Sequence, residues 1–118
     1  MSLESDLFAL LSPLAGGRVF PDVAPLSTAR PYVIYQQIGG EAVNYTDDAA
    51  PNRQHALMQI SVWSDGRLQA NTLARQIEDA LRGAAAFQAR PDGALRTDHE
   101  PDLNLYGASQ DFSIWAAR

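Results

Sequence analysis

The chain has 118 residues, 46% of them hydrophobic and 19% charged, a composition that suits one folded domain over residues 1–118 and excludes a disordered chain. It has no cysteine, so a disulfide framework, a thiolate zinc site and a cysteine nucleophile are excluded together. Net charge is −5, from nine arginines and fourteen acidic residues with no lysine, so the basic excess with which nucleic-acid binders neutralise phosphates is missing.

Ser2 is placed to cap a helix that begins at Leu3, with Glu4 and Asp6 favourable in its first turn. Leu3, Leu7, Leu10, Leu11 and Leu14 then share one face, and Pro13 with Gly16-Gly17 stops the helix. The polar side lacks the basic residues of a membrane-surface helix, so the stripe is expected to face a core. Residues 7–14 are apolar but follow Glu4 and Asp6 where a signal peptide has a basic region. No run approaches the ~20 apolar residues of a membrane span. The reading is a soluble protein that begins in the cytoplasm and meets no membrane.

Arg18-Val19-Phe20 is a short strand closed by Pro21, and residues 22–30 form a loop. Residues 32–38, rich in β-branched and aromatic side chains after Pro31, predict a strand that loosens at Gly39-Gly40. Residues 41–53 carry Asp47-Asp48, Pro51 and Asn52 and read as a long connection. A second strand is expected over 55–63, with Ala56, Met58, Ile60 and Val62 facing the core. Ser64 or Asp65 is expected to cap a helix over 68–82. Its stripe is Leu73, Ile77 and Leu81, flanked by Ala70, Ala74 and Ala80, and Gly83 fits the left-handed C′ position. Residues 87–89 and 94–100 are short extended segments, and 109–115 alternate as a final strand with Phe112 and Ile114 inward. The implied fold is α+β, two helices on one face of a mostly antiparallel sheet, in the order α-β-β-β-α-β-β.

Negative charge collects in two segments. Residues 41–50 carry Glu41, Asp47 and Asp48 with no arginine, and residues 92–102 carry Asp92, Asp98, Glu100 and Asp102 against Arg96. Asp98-His99-Glu100 with Asp102 is the densest ligand-type cluster. On a strand, however, Asp98 and Glu100 share a face and His99 points away, so the cluster does not converge on a metal ion. No nucleophile elbow, P-loop or dinucleotide fingerprint is present, and His55 reads as a surface or edge histidine. The chain therefore offers no catalytic, cofactor-binding or metal site. Tyr32, Tyr35, Trp63 and Trp115 lie on predicted strands, where core packing or a subunit contact suits them better than base stacking, which needs interleaved basic residues.

Taken together, SLESDLFALLSPLAGGRVFPDVAP at the start, RPYVIYQQIGG in the first long strand, QISVWS before the arginine-bearing helix and DLNLYGASQDFSIW at the end resemble one family. That family is the phage tail completion or tail-to-head joining proteins of long-tailed phages, prophages and gene transfer agents. The resemblance covers the whole chain in order, and its shared positions are structural. It implies an α+β virion structural protein without catalysis or cofactor. It also implies a ring of six subunits at the head–tail junction or the head-proximal end of the tail, next to connector or tail tube proteins.

On this reading the isolated chain is mainly monomeric. The 41–53 segment, with Glu41, Asp47, Asp48, Asn52 and Arg53, is the expected channel or interface loop, its acidic part repelling the passing duplex rather than binding it. Strand edges, with Trp63 or Trp115 as anchor, are the expected subunit contacts. The alternative is a small cytosolic binding or regulatory module of the same fold.

Overall fold

The computed structural model describes residues 2–44 and 52–118. Ser2 opens α1 (Leu3–Leu11) with a capping box: its hydroxyl accepts the Ser5 amide at 3.1 Å, and the Ser5 hydroxyl accepts the Ser2 amide at 3.2 Å. Leu3, Leu7 and Leu11 are buried, and Leu10 and Leu14 pack half-buried beside them. The helix ends before Pro13, and one 3-10 turn (Ser12–Leu14) leads to Gly16 and Gly17, both at positive φ.

Six strands follow: β1 (Val19–Pro21), β2 (Tyr32–Gly39), β3 (Arg53–Ser64), β4 (Gln88–Pro91), β5 (Arg96–Glu100) and β6 (Leu105–Ala117), with α2 (Arg67–Arg82) between β3 and β4. The sheet runs β1-β2-β3-β6-β4, and β5 pairs with β6 beside β4, so the two short strands share one long edge. Every pairing is antiparallel except β1 with β2. β3 and β6 pair over twelve positions, from Arg53↔Ala117 to Ser64↔Tyr106, and form the spine of the molecule. Three strands follow α2 rather than the expected two, because the 94–100 segment finds an open stretch of β6 to pair with.

Alternation then sorts the side chains. Val33 and Tyr35 of β2, Ala56, Met58, Ile60 and Val62 of β3, and Ala108, Phe112, Ile114 and Ala116 of β6 are buried on one face. Ala70, Leu73, Ala74, Ile77 and Leu81 of α2 meet them, and α1 joins through its leucines, so both helices cover the same face. Tyr35 ties α1 to the sheet. Burial, then a hydrogen bond and charge from Glu4, raise its phenol above the usual tyrosine range. The buried Gln110 side chain is also satisfied: it donates to the Gly93 carbonyl at 3.0 Å and hydrogen-bonds Glu78 on α2. That bond, with the Arg82 partner at 3.1 Å, holds the Glu78 carboxyl below its ordinary value.

Two helix-end expectations are corrected. α2 is capped by Gly66 without a side-chain bond. Ser64 is fully buried and its hydroxyl is taken up locally by the Gln69 side chain and the Gly66 amide, while Asp65 pairs with the distant Arg30 at 2.7 Å, so neither caps α2. Gly83 ends α2 at φ −94°, in the ordinary region rather than the left-handed one.

Candidate interaction surface

The opposite face of the sheet carries no helix among the described residues. Its rows follow from the register. Tyr32, Trp63 and Gly107 form one row, Ile34, Ser61 and Ser109 the next, then Gln36, Gln59 and Asp111. Leu57, Ser113 and Arg90 follow, then His55, Trp115 and Gln88. Phe20 extends the Ile34 row onto β1. Aromatic and arginine side chains among small polar ones, each half-exposed or exposed, make a surface of the kind that partners use.

The strand edges are less inviting. β1 ends in Pro21, β4 ends in Arg90-Pro91, and β5 is exposed through Arg96, Thr97, Asp98 and His99. Proline lacks the donor that strand addition requires, and edge charges resist desolvation.

The two tryptophans differ. Trp63 lies against Gly107 so closely that a Cβ there would sit 2.8 Å from its ring, and it is taken up by the chain's own packing. Leu105, on the same face, is buried beside the loop that holds Ala24, Pro25 and Leu26. Leu26 itself is 99% exposed, and with Leu103 it borders a depression of about 340 Å³ at this end of the sheet.

Trp115 stands at the other end and is half-buried. The Arg53 guanidinium carbon lies 5.7 Å from its ring centroid, and the His55 ring packs on it at 4.6 Å. Two depressions, of about 460 and 280 Å³, adjoin it along Ala84 to Phe87 and along Gln88 to Arg90.

His55 is not a plain surface histidine. Its Nδ1 accepts the Glu41 amide at 2.8 Å, so the neutral ring carries its proton on Nε2 and donates to Ser113 Oγ at 2.7 Å. This pins the start of the 41–53 segment to the sheet. Gly40, at φ +144°, permits the approach, because a Cβ there would collide with the His55 carbonyl. The far end of the segment is held as well, through the Arg118 amide and the Asn52 carbonyl at 3.0 Å. Glu41, Asn52 and Arg53 thus gather near Trp115, while Asp47 and Asp48 lie outside the described residues.

Sequence reasoning singled out Arg53 and Trp115 but missed Arg90 and the His55 bonds. A strand residue opposite Ser113 carries no local mark of that position. On β5, His99 stacks on Tyr106 at 4.7 Å and Asp98 accepts the His99 amide at 2.8 Å. Among the described residues no group of three metal-ligating side chains is brought together. Among the described residues no helix is long and apolar enough to cross a membrane.

A helix-covered sheet with a bare aromatic and arginine-bearing face is the build of an assembly part, and the sequence places it further. The chain belongs to the family of tail completion protein gp17, whose model matches residues 5–117, and it is a phage structural tail protein. Among solved structures it is similar to a chain in the virion of a native gene transfer agent particle. The TM-score is 0.65 at 22% identity over 99% of this chain and 96% of that one, which shows a shared fold. None of the curated proteins matches the chain.

Proposed function

We propose that this protein is a ring-forming component at the head–tail junction, or at the head-proximal end of the tail, of a phage or prophage particle. The ring holds six copies, waits in the host cytoplasm mainly as monomers, and closes on a connector or tail tube surface. It performs no catalysis, and DNA passes through it without being held. The observation that carries this reading is the family match across residues 5–117. The fold shared with a chain of a gene transfer agent virion supports the particle setting, and the bare sheet face supplies a surface to assemble with.

Weak pairwise contacts suit such a part. In a closed ring on a template each subunit gains two neighbours and a docking surface, so interfaces too small to hold a dimer become stable together. Deleting the gene from its intact phage or prophage tests the reading. Filled heads and tails that fail to join, or tails of uncontrolled length, are expected. Normal infectious particles from the deletion strain would rule the joining role out and favour a small binding module of the same fold.

A further inference from the structure

We propose that Arg53, Trp115 and Arg90 form a seat for the acidic strip Asp98, Glu100 and Asp102 of a second copy of this chain. It rests on the ring reading and names the contact that would close the ring.

The seat is defined by register. Trp115 sits on β6 between His55 of β3 and Gln88 of β4. Arg53 lies opposite Ala117 on one side, and Arg90 lies opposite Ser113 on the other, so one arginine flanks the indole from each neighbouring strand. Arg53 already leans over the ring at 5.7 Å, and Arg90 lines the depression beside it. Arg30, Arg82 and Arg96 each hold a carboxylate at 2.7 to 3.1 Å. Among the described residues Arg53 and Arg90 hold none. A half-buried tryptophan flanked by two exposed arginines that hold no carboxylate among the described residues is the usual make-up of an interface hot spot.

The complement is on the same chain but out of its reach. Asp98 pairs in register with Gly107 and Glu100 with Leu105, so both carboxylates share the uncovered side of the sheet. Asp102 follows them in an exposed turn. Asp98 and Glu100 accept only nearby backbone amides, those of His99 and Asp102, and no arginine pairs with them among the described residues. On β6 the strip lies beside residues 105–107 and the seat beside 113–117. At ~3.3 Å per residue that is roughly 30 Å of strand, too far for a chain to fill its own seat.

A seat near one end and a strip near the other, on a body 53 Å long, permit a heterologous contact as well as a reciprocal two-fold pair. In the heterologous arrangement each copy uses both patches, once for each neighbour, and a ring forms when the rotation between neighbours closes. Covering by Trp115 keeps water from the charge pairs and strengthens them. The same chemistry explains weak association in isolation, because surface pairs contribute little until several act at once.

The test uses the full chain in low salt, followed by sedimentation and native mass spectrometry from micromolar to millimolar. Wild type should associate as concentration rises and dissociate as salt is added. Arg53→Glu with Arg90→Glu should abolish association, and so should Asp98→Arg with Glu100→Arg. An equimolar mixture of the two variants should reassemble, because every seat then meets a strip of opposite charge. This recovery also shows that both variants fold.

Four results would overturn the proposal: a wild type monomeric throughout, either variant assembling alone, no recovery in the mixture, or a two-fold dimer as the sole product. Duplex DNA binding lost in the Arg53→Glu, Arg90→Glu variant would assign the seat to phosphates instead. A joining defect in the deletion strain, with assembly untouched by these charge reversals, would remove this contact and leave the ring role standing.

Discussion

Gly107 shows how one residue positions a large neighbour. It lies opposite Trp63 in the β3–β6 pair, and the indole covers its Cα. Gly107→Ala places a Cβ 2.8 Å from the ring, so Trp63 must move. A loss of about 1–3 kcal/mol is expected from the overpacking. Denaturant unfolding with tryptophan emission checks it: a lower midpoint and an altered native spectrum should appear together. Tyr35 carries the pH dependence. Its folded-state phenol lies above the ordinary value of 10.0, through burial first and Glu4 second. The folded chain therefore holds this proton more tightly than the unfolded chain does. The resulting stability is fully present below pH 10.0 and is lost as pH rises through the raised value. Tyr35→Phe forfeits the hydrogen bond to Glu4, costing about 1 kcal/mol at neutral pH. The gap between wild type and variant should narrow in unfolding curves taken above pH 10.0. A constant gap across that range would contradict the assignment.

At the scale of the element, α2 is the piece on which the core depends. Its buried stripe meets β3, β6 and β4 at once, and β3-α2-β4 is a crossover with β6 inserted between two parallel strands. Ile77 is 1% exposed at the centre of that contact. Ile77→Asp buries a carboxylate with no cation prepared for it and should cost about 3 kcal/mol or more. Against a total stability of roughly 5–15 kcal/mol, that unfolds much of the population on mild heating. A cooperative melt at the wild-type midpoint would mean that α2 does not pack as described. The helix tolerates a glycine cap without a side-chain bond because its stability comes from packing rather than from its ends.

For the whole molecule, charge decides how the chain meets duplex DNA. The net charge is −5, and among the described residues Arg30, Arg82 and Arg96 are spent on internal carboxylates. Phosphate neutralisation is the main source of duplex affinity, so no binding to duplex DNA is expected at physiological salt. A micromolar affinity that falls steeply with added salt would contradict this. The elongated body, 53 × 26 × 24 Å, keeps the Trp115 end far from the Leu26 and Leu103 end. An exposed apolar rim at one end and an aromatic, arginine-bearing face toward the other suit a part that meets different partners at different places.

What the sequence by itself determined is local. The leucine spacing of α1, the stripe of α2 and the alternation of Ala56, Met58, Ile60 and Val62 all read correctly. Periodicity records which side of an element meets apolar surroundings, whatever those surroundings are. The capping box at Ser2 was half legible for the same reason, since capping needs residues within one turn. The tertiary structure alone decided the rest. It set β1 parallel to β2, laid β4 and β5 end to end along β6, and diverted Asp65 from the cap of α2 to the distant Arg30. It also gave two half-buried tryptophans that look equivalent in sequence different neighbours: one packs on Gly107, the other lies between Arg53 and Arg90 with the His55 ring against it. Those outcomes depend on register between separate segments, such as β1 with β2 and β3 with β6, and such pairing leaves no trace in the local pattern.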